Sequence, residues 1–326
     1  MIPPKPIIAL GKFIWSTQWQ IMMGSLAPTD QAGNYQRPRS QFRHGIGDGG
    51  DHNYCPDRDR YGLIVGMGCP WAHRTLVVRA LKGLEEVISV TIAQPDPEGG
   101  SWLLPADHNL GVNSLPAFYR HHDPTFKGRA TVPVLYDRQT HTIVNNESSD
   151  IIMMLNAQFN DWANRPDVDL YPEALRGEID QWNDRIYRTV NNGVYRCGFA
   201  QSQTAYDQAC NELFDTLDHI NMVLAERRYL GGDRLTLADV RLFTTLIRFD
   251  LVYYGLFKCN RRAIASYPHL GPYLRDLYQQ DGIPQTCDLA TIKRDYYGSL
   301  FPLNPGGIIP QGPDLEAWLM LPHDRH

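Results

Sequence analysis

Gly66-Met67-Gly68-Cys69-Pro70-Trp71-Ala72-His73-Arg74 lies where two periodicities meet. An apolar run, Tyr61-Gly62-Leu63-Ile64-Val65, leads into it. Trp71 to Lys82 leads out, with apolar positions at Leu76, Val77, Ala80 and Leu81, so a strand gives way to a helix. With Cys69 as N-cap, Pro70 falls at the first helical position, where its missing N–H is no loss and its fixed φ suits the turn. Gly83 is placed to end the helix. A cysteine in that position faces unpaired backbone N–H groups and the positive end of the helix dipole, which favour thiolate over thiol. The competing reading, an inert cysteine packed as a small hydrophobe, is outweighed by the Gly-x-Cys-Pro junction.

In a Cys-x-x-Cys redox motif the second thiol would stand at position 72, which is Ala72. Cys69 is therefore a monothiol site. A mixed disulfide formed on it has no local resolving partner and needs an external thiol, of which glutathione is the obvious cellular example.

Working outward, Val87-Ile88-Ser89-Val90-Thr91-Ile92 reads as a second strand, giving a parallel strand–helix–strand unit. From Pro95 to Arg129 the pattern dissolves into Pro, Gly, Asp and His, a connection long enough to be functional or wrapped around a site. Trp102 lies within it, as does His121-His122-Asp123, which reads as solvated loop. Val132-Pro133-Val134-Leu135-Tyr136 and Thr142-Ile143-Val144-Asn145 form a hairpin pattern. A proline there belongs at an edge or beside a ligand, and a cis Val132–Pro133 bond would let the Val132 backbone pair with an extended peptide-like ligand. Asn146-Glu147-Ser148-Ser149-Asp150 opens a helix. Its side chains cap the end, and Glu147 is also available to an ammonium group.

Upstream, residues 1–60 carry Gly, Pro, Asn, Asp and Arg without sustained period and read as an irregular N-terminal arm. Asp51-His52-Asn53-Tyr54-Cys55 has no second ligand pair, so it reads as loop and not as a metal site. Downstream, helical patterns run over roughly 173–198, 203–228, 236–257, 267–281 and 284–298. Thr236-Leu237-Ala238-Asp239 resembles a capping box, with Leu235 and Val240 as a hydrophobic staple. The reading is an α/β domain over 61–160, an all-α domain over 172–298 and an irregular tail over 299–326.

The 326 residues suffice for two domains, and 43% hydrophobic with 21% charged residues is an ordinary soluble balance. A net charge of −5, without a basic block, argues against nucleic acid as a partner. Six scattered cysteines fit a reducing compartment, hence the cytoplasm. Pro3, Pro4, Pro6 and Lys12 interrupt any signal-like run at the N-terminus, and no stretch reads as a membrane span.

Cys69-Pro70-Trp71-Ala72-His73-Arg74-Thr75, Arg129-Ala130-Thr131-Val132-Pro133-Val134-Leu135, Asn145-Asn146-Glu147-Ser148-Ser149 and Tyr296-Tyr297 with Asn304-Pro305-Gly306-Gly307-Ile308-Ile309-Pro310 together resemble the glutathionyl-hydroquinone reductases, or Xi-class glutathione transferases. The resemblance implies a thioredoxin-like domain in which Val132, Glu147 and Ser148 hold glutathione, with Trp102 and Arg129 completing the pocket. It implies that Tyr195 and Tyr296 border the quinol, that Cys69 is the catalytic thiol, that glutathione is a co-substrate with no metal required, and that the chain forms a homodimer. His73, one turn beyond Cys69, is a candidate to help hold the thiolate, with a solvated or capping role equally open. The alternatives are an Omega-like thioltransferase or dehydroascorbate reductase, which shares Cys69 but takes another acceptor, and a non-catalytic module of the same fold.

Overall fold

The structure, a computed structural model, describes residues 4–47, 54–98, 100–106 and 110–325. Asp51, His52 and Asn53 of the loop considered above lie outside the described residues. The chain opens with a helix, α1 (Lys5–Leu26), where the sequence reading expected irregular chain. Its inner side is fixed by buried Met23 and by the Trp19 indole N–H, which donates to the Pro302 carbonyl at 3.1 Å. Lacking charged pairs and interior acidic residues, its pattern did not register as helix, since the stripe Ile7, Leu10, Ile14 and Ile21 points away from the body.

Then follow β1 (Tyr61–Val65), α2 (Pro70–Lys82), β2 (Ser89–Ile92), the short β3 (Gln94–Pro95) and β4 (Trp102–Leu103), and α3 (Leu115–His122). The hairpin β5 (Val134–Asp137) and β6 (Thr142–Asn145) leads to α4 (Ser148–Ala157). The main sheet has the order β2-β1-β5-β6, with β1 parallel to β2 and antiparallel to β5, as a thioredoxin-like domain requires. Gly62 sits opposite Tyr136, whose ring fills the place of a Cβ. The 95–129 connection is more ordered than expected. It contains the β3–β4 ribbon and α3, so His122 is no free loop residue: its Nδ1 accepts the Ile143 N–H at 3.3 Å. The arm also joins the sheet, because Arg43 bridges Asn145 antiparallel at the β6 edge and the His44 N–H donates to the Val144 carbonyl at 3.0 Å.

The helical domain comprises α5 (Arg176–Ile186), α6 (Gly193–Gly198), α7 (Gln203–Val223), α8 (Leu237–Arg248), α9 (Leu270–Tyr278) and α10 (Leu289–Ser299), and the tail adds α11 (Leu315–Leu319). Two stretches expected as continuous α-helix are interrupted by π turns, Tyr187–Asn191 and Phe249–Tyr253. The capping box is present: the Asp239 carboxylate accepts the Thr236 N–H at 2.8 Å and its hydroxyl at 2.9 Å. Helix α2 lies between α4 and α8 and is buried along almost its whole length. Even Arg74 and Lys82 are buried, the latter donating to Asn160 Oδ1 at 2.6 Å and the Val168 carbonyl at 2.7 Å.

Candidate active site

Cys69 is the N-cap of α2 with extended backbone (φ −78°, ψ 118°), and Pro70 occupies the first turn. Its N–H donates to the Gly66 carbonyl and its carbonyl accepts the His73 N–H, both at 3.0 Å. Gly83 closes the helix in the left-handed region at φ 64°, the conformation a glycine adopts without strain. The Cys69 side chain is only partly buried, and its Sγ lies 3.6 Å from the Val132 carbonyl. The Val132–Pro133 bond is cis. Cys69 and Val132 are therefore adjacent.

Glu147 is the N-cap of α4 and Ser148 its first residue. One Glu147 oxygen accepts the Ser149 N–H at 3.2 Å and the Ser149 hydroxyl at 3.0 Å. The other accepts the Ser40 hydroxyl at 2.9 Å. Burial pushes this carboxyl up, but those hydrogen bonds and the Arg74 charge outweigh it and hold it below the usual carboxylate range. Buried Arg74 donates to Ser148 Oγ at 3.3 Å and to Asn191 Oδ1 at 2.6 Å, tying α2, α4 and the first π turn together. Its guanidinium lies 4.4 Å from the Trp71 ring centroid, and that of Arg37 from the arm lies 3.9 Å from it. Ser40 and Arg37 were not anticipated, since an arm without periodicity carries no local signal of where it crosses the body.

Trp102 packs its ring against Gly66, where any Cβ would clash with it. Trp102 and exposed Arg129 line one cavity of about 320 Å³ together with Arg120, Phe126 and Lys127. This cationic pocket is suited to a carboxylate. Arg129 also donates to the Leu26 carbonyl at the end of α1, at 3.4 Å.

From the helical domain come three phenols. The Tyr296 hydroxyl is 2.6 Å from that of Tyr195 and 2.9 Å from that of Tyr253. Tyr195 stacks on Trp71 at 6.4 Å between centroids, two residues beyond the sulfur. Burial, then Tyr253 and Cys69, push Tyr195 well above the ordinary phenol value. Burial and the two neighbouring phenols do the same for Tyr296. Tyr253 is pushed up to about 12, chiefly by burial. All three remain protonated donors at neutral pH. Tyr253 was not singled out by the sequence; the π turn Phe249–Tyr253, whose bonds close on residues five apart, gives it an orientation that α-helical periodicity does not anticipate.

His73 does not hold the sulfur. It is 2% exposed, its Nδ1 accepts from Arg248 at 2.9 Å, and its Nε2 therefore carries the hydrogen donated to the Thr286 hydroxyl at 2.9 Å. Burial and the Arg248 charge hold it well below the ordinary histidine value, so it is neutral and structural. Among the described residues no cluster of His, Cys, Asp and Glu has the arrangement of a metal site.

The chain as a whole resembles known proteins. Family profiles described as Glutathione S-transferase, N-terminal domain and C-terminal domain match residues 68–158 and 203–276. The chain is 44% identical over 306 residues to the glutathionyl-hydroquinone reductase PcpF of Sphingobium chlorophenolicum, spanning 92% of this chain and 94% of that protein. It is 44% identical over 308 residues to the glutathionyl-hydroquinone reductase YqjG of Escherichia coli, spanning 90% and 92%. The glutathione-bound structure of YqjG superposes with a TM-score of 0.82 over 87% of this chain and 96% of that one, at 43% identity. An Xi-class transferase from Natrialba magadii superposes with a TM-score of 0.83 over 87% and 88%, at 46% identity. With both domains matched and this identity sustained over nine-tenths of its length, the chain belongs to the Xi class of glutathione transferases.

Proposed function

We propose that this protein reductively removes glutathione from glutathionyl-hydroquinones, using Cys69 as nucleophile. The names of PcpF and YqjG support the reaction class, and the bound ligand of YqjG supports glutathione as co-substrate. The observation that carries the reading is a helix-capping thiol close enough to Tyr195 and Tyr253 to raise the pKa of both, with Tyr296 hydrogen-bonded to the two of them. Cys69 thiolate attacks the glutathionyl sulfur, and the sulfur–carbon bond breaks with its electron pair leaving on the ring carbon. That carbon takes one proton, which the hydrogen-bonded hydroxyls of Tyr195 and Tyr296 are proposed to donate. A second glutathione, as thiolate, then attacks the Cys69 mixed disulfide. The products are hydroquinone, oxidised glutathione and free Cys69.

In this reading the γ-glutamyl end of glutathione meets Glu147 and Ser148, and the Val132 backbone pairs with the peptide. Trp102 and the cations at Arg129 receive the other carboxylate. The aromatic wall of Tyr195, Tyr253 and Trp71 suits a flat quinol better than the small polar acceptor of a dehydroascorbate reductase. A cytoplasmic location is supported by six cysteines scattered without paired short spacing in a chain large enough to fold without disulfide staples. A homodimer is supported by the outward stripe of α1, Ile7, Leu10, Ile14 and Ile21, which are 61%, 60%, 47% and 67% exposed at heptad-like spacing.

The test is turnover of a synthetic glutathionyl-hydroquinone, followed as hydroquinone released, by wild type and Cys69→Ala. Cys69→Ala is expected to abolish release while still binding glutathione. Unchanged release by the variant overturns the proposal, and faster turnover of dehydroascorbate than of the quinol by wild type favours the Omega-like alternative.

A further inference from the structure

We infer that Asp295 and Arg248, both from the helical domain, are positioning residues that grip the Gly68 peptide from two sides and so fix where the Cys69 sulfur stands. The inference rests on Cys69 being the nucleophile. Between the end of β1 and the N-cap, the Met67 and Gly68 carbonyls and the Gly68 N–H find their partners, among the described residues, in the helical domain. Arg248 donates through Nη2 to the Met67 carbonyl at 2.9 Å and through Nε to the Gly68 carbonyl at 3.0 Å. Asp295 Oδ2 accepts the Gly68 N–H at 3.2 Å.

The grip is itself held. Arg248 is completely buried and donates through Nη1 to the Thr244 carbonyl and to His73 Nδ1, each at 2.9 Å. His73 rides on α2, the helix that Cys69 caps, and is fastened in turn to Thr286. Gly68 must lack a side chain because Asp295 occupies its place: a Cβ would stand 2.6 Å from Oδ2 and 2.7 Å from the Asp295 Cβ. Asp295 directly precedes Tyr296, so α10 sets both the peptide before the nucleophile and a phenol of the site. A buried guanidinium and carboxylate are a poor way to stabilise a domain contact compared with apolar packing, which points to a demand for directed hydrogen bonds.

The carboxyl is also poised to titrate. Burial pushes Asp295 up to about 6, against the lowering pull of Arg294, the Gly68 N–H and Arg248, with Asp288 adding to the rise. Arg294 and Asp288 belong to its own helix or cap, Arg248 to α8, and His73 behind Arg248 is neutral. As pH falls through about 6 the charge-assisted acceptor for Gly68 is lost, and the peptide is held less firmly.

The test uses full-length protein with Asp295→Ala and Asp295→Asn. It reads the rate of Cys69 alkylation by iodoacetamide against pH, kcat and KM for a glutathionyl-hydroquinone, and the melting temperature of each variant. Asp295→Ala is expected to lower kcat by about 10- to 100-fold with KM for glutathione little changed, and to slow Cys69 alkylation. Asp295→Asn, whose amide oxygen still accepts but carries no charge, is expected to recover only part of that loss and, having nothing to titrate, to erase the break near pH 6 in the wild-type alkylation profile. Wild-type alkylation and kcat in Asp295→Ala overturn the inference. If that variant does not fold, the Asn profile decides: a break retained near pH 6 overturns it and a lost break supports it. Because alkylation needs no quinol, the alkylation outcomes are independent of whether the proposed substrate is correct.

Discussion

The hydroxyl of Tyr296 stands at the junction of two others, 2.6 Å from Tyr195 and 2.9 Å from Tyr253. A phenol so placed can pass a proton to a leaving carbon and be supplied from behind. Tyr296→Phe is expected to slow hydroquinone release about 10- to 100-fold, near the lower end of what a general acid contributes because Tyr195 remains. The pH dependence has a definite sign. A donor is competent below its pKa, and all three phenols are displaced upward, Tyr253 to about 12. The phenols therefore contribute no loss of activity between pH 7 and 9, and a rate profile that falls there in wild type but not in Tyr296→Phe contradicts their assignment. The placement of Cys69 was readable from sequence, because Pro70 and Gly83 bracket a helix whose N-cap has to face the free N–H groups. Asp295 and Arg248 were not, since each reaches Gly68 across more than 175 residues and leaves no local pattern.

Elements that carry strong periodicity were legible: β1 into α2, the β5–β6 hairpin, α4 and the capped start of α8 all stand where the alternation and capping residues put them. Elements defined by their neighbours were not. The π turns at Tyr187–Asn191 and Phe249–Tyr253 break helices whose apolar spacing is continuous, and what they deliver is Asn191 to Arg74 and Tyr253 to Tyr296. The arm is the other case. Its extended segment gains order by pairing with the β6 edge and laying Ser40 on Glu147. Ser40→Ala removes one of three hydrogen bonds to that carboxylate, besides the Arg74 charge that also holds it ionised. The expected result is a rise of about three- to tenfold in KM for glutathione at unchanged kcat, as loss of a single hydrogen bond to a charged group allows. A fall in kcat at unchanged KM contradicts this placement.

For the whole molecule, the two domains are complementary halves of one site. In the proposed reaction the thioredoxin-like half supplies the thiol and the Val132 edge offered to the peptide, and the helical half supplies the phenols and the hold on the Gly68 peptide. The proposed homodimer would pair through the outward stripe of α1, where Ile14 and Ile21 are 47% and 67% exposed on a helix otherwise anchored through Trp19 and Met23. Ile14→Lys with Ile21→Glu is expected to convert a dimer to monomer in sedimentation without lowering the melting temperature; a dimer that survives both substitutions removes α1 from the interface. The chemistry has a more direct test. Wild-type protein is mixed with one equivalent of glutathionyl-hydroquinone in the absence of free glutathione, quenched in acid, and mapped by peptide mass spectrometry. A glutathionyl group on Cys69 with stoichiometric hydroquinone released is the expected result. Hydroquinone released with Cys69 unmodified, or the group found on another cysteine, contradicts the mechanism.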